Sequence, residues 1–355
     1  MEIHPLSQRL ESLPSSVWTQ IAHIDELKGR WTAGIQLHPQ VLGRLKRSVL
    51  VTSTGASTRI EGAKLADADI ERMLRGLSIQ HFSDRDKQEV QGYYELLANL
   101  FESWQSLRFS ESLVKHFHQE LLKYVEKDAR HRGDYKKQEN QVQMVNDVGQ
   151  SLGILFNTTP VYLTAIEMRE LMEWTSAAIR NRTHHPLLIV ANFLIQFLQI
   201  HPFQDGNGRL SRILTNLLLL QAGYTFIPYV SHEKLIEDNK PGYYMALRRS
   251  QSTFATEKET ILPWLEFFLN AVYRQASLAI ALVSADSFEN LLSLPQQKVW
   301  GYLQRVNEAA PLTLANELEI PRSTVSQALN KLLQLQKIER IGMGRATRYR
   351  VMTAD

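Results

Sequence analysis

Apolar residues recur at helical spacing along most of the chain, so the sequence predicts a mainly α-helical protein. The first 38 residues show no clear pattern and are expected to be irregular. Ser110 is placed to cap the helix written SESLVKHFHQELLKYV. The other predicted helices of the first three quarters of the chain cover residues 39–58, 67–76, 84–104, 165–181, 186–200 and 263–291, with one more in RLSRILTNLLLLQAG.

In one segment the apolar period changes from helical to alternating. Val142 and Met144 alternate with polar residues, and Leu152, Ile154 and Phe156 do so again after the turn-forming stretch NDVGQS. Alternation of this kind on both sides of a turn predicts a β-hairpin.

The last sixty residues follow a different order of elements. A helix begins near Leu294, a shorter one covers TLANELEI, and a third opens at Pro321 with Ser323 as its cap. The segment IERIGMGRATRYRV then predicts two strands around a glycine turn. Three helices followed by a hairpin are the layout of a winged helix-turn-helix domain.

This C-terminal segment is locally basic, which makes duplex DNA a candidate partner through the winged helix. Residues 321–350 hold seven lysines and arginines against one acid, Glu339, although the whole chain has a net charge of only +3. Winged helices also dock proteins, so both interpretations stay open. The residues expected nearest DNA are Arg322, Ser323, Thr324, Ser326 and Gln327 on the third helix and Arg345 and Arg348 on the wing.

The richest chemistry lies in residues 201–212, HPFQDGNGRLSR, between two apolar helices. Gly206 and Gly208 allow a tight turn and a close approach of backbone N–H groups to a ligand. The helix that follows presents unpaired N–H donors and the positive end of its dipole, which favours an anion. Arg209 and Arg212 are neighbours on one helix face and suit phosphate oxygens.

The remaining polar residues of this loop complete a phosphate-handling catalyst. Asp205 would repel a phosphate unless it binds Mg²⁺, which bridges phosphate oxygens and keeps several waters. His201 is the candidate proton acceptor, because the ordinary pKa of imidazole is near neutrality. Phe203 is expected to face inward and hold the loop.

The pattern HxFxDGNGRxxR resembles the signature of the Fic family (filamentation induced by cAMP). The resemblance implies transfer of AMP from ATP to a hydroxyl group of a target protein, or of this chain itself. It implies that His201 deprotonates the hydroxyl, that Asp205 binds magnesium, and that Arg209 and Arg212 bind the leaving phosphates. Asn207 and the amides of Gly206 and Gly208 would hold the phosphates.

The predicted fold is therefore a Fic helical core with a β-hairpin flap, followed by a winged helix-turn-helix. The expected division is an N-terminal helical region over 1–108, a catalytic core over 109–290 and the winged helix over 291–355. In relatives the flap binds the target backbone as an added strand, so the protein target is expected along 133–156. Relatives also regulate through dimer interfaces, which leaves a homodimer open.

A second motif lies upstream, in STRIEG at residues 57–62. It resembles the inhibitory motif [ST]xxxE[GN] of Fic proteins, formed here by Ser57, Glu61 and Gly62. Glu61 would pair through two bonds with Arg212 and so displace the ATP γ-phosphate. The alternative is a glutamate at a helix end before a glycine cap, with no regulatory role.

After the signature, DNKPGYYMALRRSQ resembles the family segment beside the adenine pocket. Tyr243 and Tyr244 would line that pocket, or they pack in the core as aromatic residues of an amphipathic helix. Two histidine pairs, His116 with His118 and His184 with His185, do not have the geometry of a metal site.

Composition excludes some classes of protein. The chain has 355 residues, 44% of them hydrophobic, and no cysteine, which excludes disulfides, cysteine zinc sites and thiol catalysis. No leader or membrane span is predicted, so a cytoplasmic protein without a membrane partner is the expectation. Two function classes remain: an autoinhibited adenylyltransferase using ATP and Mg²⁺, and a DNA-binding regulator whose Fic core senses nucleotide. An enzyme of this family that removes AMP or uses another nucleotide is a further alternative.

Overall fold

The structure is a computed structural model that describes residues 3–34, 39–63, 65–74, 85–145, 151–283, 292–342, 344 and 347–352. The chain is mainly helical, as the apolar periodicity predicts. It forms two compact units, the first comprising Met1–Gly29 and Lys46–Ser277 and the second Arg30–Leu45 and Leu278–Asp355. The predicted three-part division stays a prediction, although residues of its first two parts share the first unit.

The N-terminal region is helical, so the expectation of an irregular start is wrong. Helix α1 covers Pro5–Gln8 and α2 covers Ser15–Gly34. On α2 the side chains of Val17, Ile21 and Ile24 are buried. Their spacing of four and three residues is that of one helix face, but the residues between them mix apolar and polar side chains and so obscure the pattern.

The helices predicted between residues 39 and 291 are present, and their ends agree with the prediction to within four residues where those ends are described. The predicted ends at residues 76 and 291 lie outside the described residues. The helices over His232–Glu237 and Lys240–Gln251 are not among those predicted. Ser110 caps α6 by accepting a hydrogen bond of 3.2 Å from the N–H of Leu113. Among the described residues, none of the helices has both the length and the hydropathy of a membrane span. The helices that follow α2 in the first three quarters of the chain are α3 (Pro39–Ile60), α4 (Asp67–Leu74), α5 (Arg85–Ser103), α6 (Glu111–Leu121), α7 (Val161–Asn181), α8 (Pro186–Ile200), α9 (Asn207–Gln221), α10 (His232–Glu237), α11 (Lys240–Gln251) and α12 (Leu262–Val283).

Helices α8 and α9 form the centre of the first unit. Nearly every residue of both helices is buried, because apolar side chains occupy all faces of α8 and most of α9. Helix α8 packs against α7, α9 and α11, and α9 packs against α5, α6 and α10. The turn between α8 and α9 holds the 201–212 motif, so a rigid buried pair of helices positions its ends.

The predicted hairpin is present upstream of α7. Strand β1 (Gln141–Val145) pairs antiparallel with β2 (Ser151–Asn157), with Gln141 opposite Asn157 and Val145 opposite Ser151. Residues 146–150 of the predicted turn lie outside the described residues. Target binding along this hairpin stays a prediction.

The C-terminal part of the second unit contains three helices and a small sheet. Helices α13 (Leu294–Val306), α14 (Pro311–Glu317) and α15 (Arg322–Gln334) pack around buried Trp300, Leu314 and Leu329. Strands β3 (Glu308–Ala309), β4 (Ile338–Ile341) and β5 (Arg348–Val351) form an antiparallel sheet in the order β3-β5-β4. The winged-helix assignment stays a prediction.

One detail of this unit differs from expectation. The cap position of α15 is Pro321, in an extended conformation and without a side-chain hydrogen bond. Ser323 already lies in the first turn, so it is not the cap. Proline at the cap leaves the first N–H groups of α15 without a side-chain acceptor from the chain before them.

Candidate active site

The 201–212 motif forms a tight turn closed by backbone and amide hydrogen bonds. His201 ends α8 in a left-handed conformation with φ 50°, and Gly206 begins α9 with φ 78°. Asn207 closes the turn, because its Oδ1 accepts from the N–H of Phe203 at 2.9 Å and its Nδ2 donates to the Phe203 carbonyl at 2.8 Å. Both polar groups of the Asn207 side chain are thus used within the loop, and backbone amides remain the candidates for phosphate contact.

His201 has the protonation state that a general base needs. Its Nδ1 lies 3.3 Å from the carbonyl oxygen of Leu198, which accepts only, so Nδ1 carries the proton and the lone pair lies on Nε2. Burial and, to a smaller extent, the charge of Lys136 lower the pKa of His201 to about 4, against the opposing effects of the Leu198 carbonyl, Glu61 and Asp205. The imidazole is therefore neutral at pH 7.

Phe203 and His118 stabilise the loop through ring stacking and hydrogen bonds. Phe203 is fully buried, as expected, and its ring stacks on His118 with centroids 3.9 Å apart. His118 accepts from the N–H of Gly133 at 2.9 Å and donates from Nε2 to the Asp205 carbonyl at 3.0 Å. Sequence analysis treated His118 only as a failed metal ligand and missed this role, which a lone histidine on a helix face does not signal.

Asp205 belongs to a ring of charges at the start of α9. Its Oδ1 accepts from the N–H of Gly206 at 2.6 Å and lies 3.4 Å from Nη2 of Arg209, while Oδ2 pairs with Arg85. Burial raises the pKa of Asp205, but Arg209, the Gly206 N–H and Arg85 lower it below its ordinary value. Asp205 is therefore ionised at neutral pH.

Glu89 and Arg85 on α5 complete this ring, and sequence analysis missed both. Nη1 of Arg209 lies 2.7 Å from Oε2 of Glu89, and Nε of Arg85 lies 2.7 Å from Oε1 of the same carboxylate. The side chain of Arg209 is only 3% exposed. Arg209 thus points at carboxylates of the protein, and Glu89 holds it beside Asp205.

Arg212 of the 201–212 motif contacts both Ser57 and Glu61 of the upstream motif. Its Nε donates to Oγ of Ser57 at 2.8 Å, and its Nη2 donates to the Ser57 carbonyl at 2.9 Å and to Oε1 of Glu61 at 2.7 Å. The expected two-bond pairing with Glu61 is thus a single contact, with Ser57 supplying the others. Burial lowers the pKa of Arg212, but the charge of Glu61 raises it above its ordinary value.

The end of α3 places Glu61 at this point. The N–H of Gly62 donates to Arg59 and that of Ala63 to Thr58, which is the Schellman pattern that closes a helix at a glycine with positive φ. Gly62 is therefore a helix cap, and the same cap directs Glu61 toward Arg212. The glycine cap is thus present together with the contact to Arg212, and the inhibitory role of Glu61 stays a prediction.

Tyr243 and Tyr244 lie near this arginine. Tyr243 is buried, with ring centroids 5.2 Å from Tyr244 and 5.9 Å from Trp264. Burial raises the pKa of Tyr243 to about 12, although Arg212 and Ser211 lower it. Tyr243 thus packs in the aromatic core, and Tyr244 is half-buried. Their place in an adenine pocket stays a prediction.

The donor set for a metal ion is small. Among the described residues, no three histidine, aspartate or glutamate side chains group closely enough to hold a metal. Asp205 fits Mg²⁺ nevertheless, because this ion is commonly bound through one carboxylate together with substrate phosphates and water.

The predicted DNA-contact residues of α15 lie at the surface. Arg322, Ser323, Ser326 and Gln327 are exposed and Thr324 is half-buried. Arg348, at the start of β5, lies 3.4 Å from Glu308, and Arg345 lies outside the described residues. These assignments stay predictions.

Comparison with known proteins agrees with the motif. Residues 108–219, which include the whole turn, match the Fic/DOC family. These residues therefore form a region of Fic/DOC type. Protein adenylyltransferase Fic from Drosophila virilis is 32% identical over 120 residues, which is 34% of this chain and 22% of that protein. The same-named protein of Drosophila mojavensis is 27% identical over 207 residues, or 58% of this chain and 38% of that protein.

Solved structures show the same fold at low identity. A Fic family protein from Desulfovibrio desulfuricans has a TM-score of 0.60 and 22% identity, covering 100% of this chain and 98% of that one. Fic-1 from C. elegans (residues 134–508) has a TM-score of 0.58 and 18% identity, covering 75% of this chain and 72% of that one. The chain spans less than two fifths of the length of these Drosophila relatives, so its activity is argued below as a proposal.

Proposed function

We propose that this chain is a protein adenylyltransferase whose own Glu61 restrains it. The observation that carries this proposal is the contact of Arg212 with Ser57 and Glu61. It brings a candidate inhibitory carboxylate onto the motif arginine that the family uses for phosphate. The names of the Drosophila relatives, protein adenylyltransferase Fic, support the reaction class.

The geometry suits in-line transfer to a hydroxyl group. Nε2 of His201 takes the proton as the hydroxyl oxygen forms a bond to the α-phosphorus of ATP. The bond from that phosphorus to the bridging oxygen breaks, and pyrophosphate leaves. Positioning and neutralisation of charge supply most of the acceleration in such reactions.

The remaining groups of the site would hold the triphosphate. The N–H groups at the start of α9 and the guanidiniums of Arg209 and Arg212 offer donors for its oxygens. Asp205 would hold Mg²⁺, which when bound neutralises phosphate charge. Glu89, by fixing Arg209, keeps one of the guanidiniums in place.

Glu61 opposes this binding in two ways. Its carboxylate takes a donor of Arg212 that the γ-phosphate needs, and its negative charge repels the triphosphate. A charge-assisted hydrogen bond of this kind contributes about 1.5–3 kcal/mol. This is sufficient to make the ATP-competent arrangement a minor state.

The β1–β2 hairpin is the proposed docking element for the target. A two-stranded sheet leaves an outer edge on each strand, and an extended target segment would add there through backbone hydrogen bonds. Such pairing would present the target hydroxyl to the loop that holds His201.

The experiment is transfer of label from ATP that carries ³²P at the α-phosphate. The Glu61→Gly protein is expected to label itself, and the Glu61→Gly/His201→Ala protein is not. Equal labelling of both would contradict His201 as the base. Release of AMP from a labelled protein by the unmodified chain, but not by Glu61→Gly, would favour the alternative in which Glu61 orients a water.

We also propose duplex DNA as a partner of the second unit. The exposed polar residues on the first two turns of α15 favour it. Fluorescence anisotropy of labelled duplex DNA with the full chain is expected to show binding that weakens with salt. Arg322→Ala should weaken it, whereas exposed Arg108→Ala in the first unit should not. No binding at low salt would end this proposal and leave a protein partner as the alternative.

A further inference from the structure

A buried lysine lies beside the loop that carries His201 and takes part in no step of the transfer proposed above. Lys136 is 3% exposed, and its Nζ donates three hydrogen bonds. The acceptors are Oδ1 of Asn140 at 2.9 Å, Oγ1 of Thr158 at 3.0 Å and the carbonyl of Ile200 at 3.1 Å. A buried ammonium is costly unless its donors are satisfied, so these three contacts define where it lies.

These contacts reach both ends of the β1–β2 hairpin. Asn140 immediately precedes β1, and Thr158 immediately follows β2. The hydroxyl of Thr158 also lies 2.8 Å from the carbonyl of Asn140, so the two ends are joined to each other as well as to Lys136.

The same lysine holds the backbone on both sides of His201. Its Nζ binds the carbonyl of Ile200, and its own N–H donates to the carbonyl of Pro202 at 2.8 Å. Asn140 adds a bond from Nδ2 to the Phe203 carbonyl at 2.9 Å. The hairpin base and the histidine backbone are therefore parts of one hydrogen-bonded cluster.

We propose that Lys136 is a positioning residue that fixes the base of the target-binding hairpin relative to His201. This rests on the proposed function, since it assigns a purpose to the hairpin and to the histidine. Misplacement of a reacting group by about 1 Å can lower a rate about a hundredfold. A rigid connection between the docking strand and the base prevents such misplacement.

The charge of Lys136 has a second effect on the histidine. Among the charged groups that act on His201, Lys136 lowers its pKa, whereas Glu61 and Asp205 raise it. Burial lowers the pKa of Lys136 itself to about 8, against the charges of Glu139 and Glu167. The ammonium is thus mainly charged at pH 7 and helps to keep the imidazole neutral.

The test uses the Glu61→Gly protein as parent and compares three variants made in it. Lys136→Met removes the cation and its bonds. Thr158→Val removes one of the three bonds of the cation and the bond of the Thr158 hydroxyl to Asn140, but keeps the cation. Lys137→Met is the matched control, because the neighbouring lysine is 76% exposed and pairs only with Asp134 among the described residues. Rates of self-labelling from α-³²P-ATP are measured together with the Kd for ATP by calorimetry.

Lys136→Met and Thr158→Val are expected to label about tenfold or more slowly than the parent, with the Kd for ATP changed less than about threefold. Lys137→Met is expected to match the parent. A rate for Lys136→Met within about twofold of the parent, or a loss accounted for by weaker ATP binding, would overturn the proposal. If Lys136→Met does not fold, Thr158→Val decides between the same outcomes.

The pKa of His201, measured by NMR titration, separates the charge of Lys136 from its structural role, because loss of hydrogen bonds alone should leave this pKa unchanged. This pKa should rise in Lys136→Met and stay unchanged in Thr158→Val, because only the first variant removes the charge. An unchanged pKa in both contradicts the electrostatic part. A parent that binds no ATP would instead contradict the proposed function, and the titration would still test the contact of Lys136 with this loop.

Discussion

The carboxylate of Glu61 lies directly against Gly208 in the first turn of α9. A Cβ atom added at Gly208 would stand 2.3 Å from Oε1 of Glu61 and 3.1 Å from its Cδ. No side chain fits between the two residues, so the glycine is what allows the carboxylate to approach the start of this helix. The same space is the one in which phosphate oxygens would meet the backbone N–H groups.

Gly208→Ala is expected to destabilise the unmodified protein more than the Glu61→Gly protein. In the first background the new methyl group overlaps the carboxylate, whereas in the second that overlap is gone. The carboxylate ends a flexible side chain and can move aside by giving up its bond to Arg212, so the cost is at most that of this bond, about 1.5–3 kcal/mol. Urea unfolding of the unmodified chain, Gly208→Ala, Glu61→Gly and the double variant gives the coupling free energy between the two positions. Additive effects of the two substitutions on the free energy of unfolding would contradict the close contact.

Glu61→Gly is expected to tighten ATP binding by about tenfold or more, because it frees a donor of Arg212 and removes a negative charge. Ser57→Ala should have a smaller effect, since the Ser57 carbonyl and Glu61 still hold Nη2 of Arg212. Calorimetric titration with ATP and Mg²⁺ measures both. If Glu61→Gly binds ATP no better than the unmodified chain, the inhibitory role of Glu61 is wrong.

Arg85→Gln is expected to strengthen cation binding at Asp205. Oδ2 of Asp205 is paired with Arg85, so a metal ion must displace that guanidinium. In the Glu61→Gly background with a non-hydrolysable ATP analogue, the Kd for Mn²⁺ measured by electron paramagnetic resonance should fall about threefold or more. Arg108 is exposed, and Arg108→Gln makes the same change in net charge, so this variant should leave the Kd for Mn²⁺ unchanged. An equal response of the two variants would indicate a general charge effect.

Acid is expected to destabilise the protein through histidines that burial keeps neutral, among them His118 and His201. Burial lowers the pKa of both His118 and His201 from 6.5 to about 4. The unfolded chain therefore binds protons between these values while the folded chain does not, and the free energy of unfolding falls as the pH is lowered from 6.5 to about 4. Urea unfolding at pH 7 and pH 4.5 measures the loss. In His118→Gln the loss should be smaller, and an unchanged loss would contradict the assignment to His118.

The sequence predicted most of the helices because their apolar faces follow a regular period that packing preserves. It failed at α2, where buried Val17, Ile21 and Ile24 are separated by a mixture of apolar and polar residues and the pattern is diluted. It also misplaced the start of α15, since both Pro321 and Ser323 are residues that open helices and only the backbone conformation distinguishes them.

The 201–212 loop could be identified from the sequence alone, because its glycines, histidine and arginines are contiguous and their chemistry depends on local spacing. The partners of that loop could not. Glu89, Arg85, His118 and Lys136 lie on other elements at separations of some 65 to 120 residues along the chain, and only the packing of α5 and α6 against α9 brings the first three to it. Their residue types carry no local signal, since a glutamate or lysine on a helix is usually solvated.

What the sequence determined by itself is thus the local chemistry: a glycine-rich turn at a helix start with the residue types of a phosphate site, a candidate base, and an upstream motif with a candidate inhibitory glutamate. What only the tertiary structure decided is which charges meet. Ser57 shares Arg212 with Glu61, Asn207 is used to close the turn, and Arg209 is held by Glu89. The physical reason is that periodicity and backbone preferences act over a few residues, whereas ion pairs and buried hydrogen bonds depend on distances that the fold alone sets.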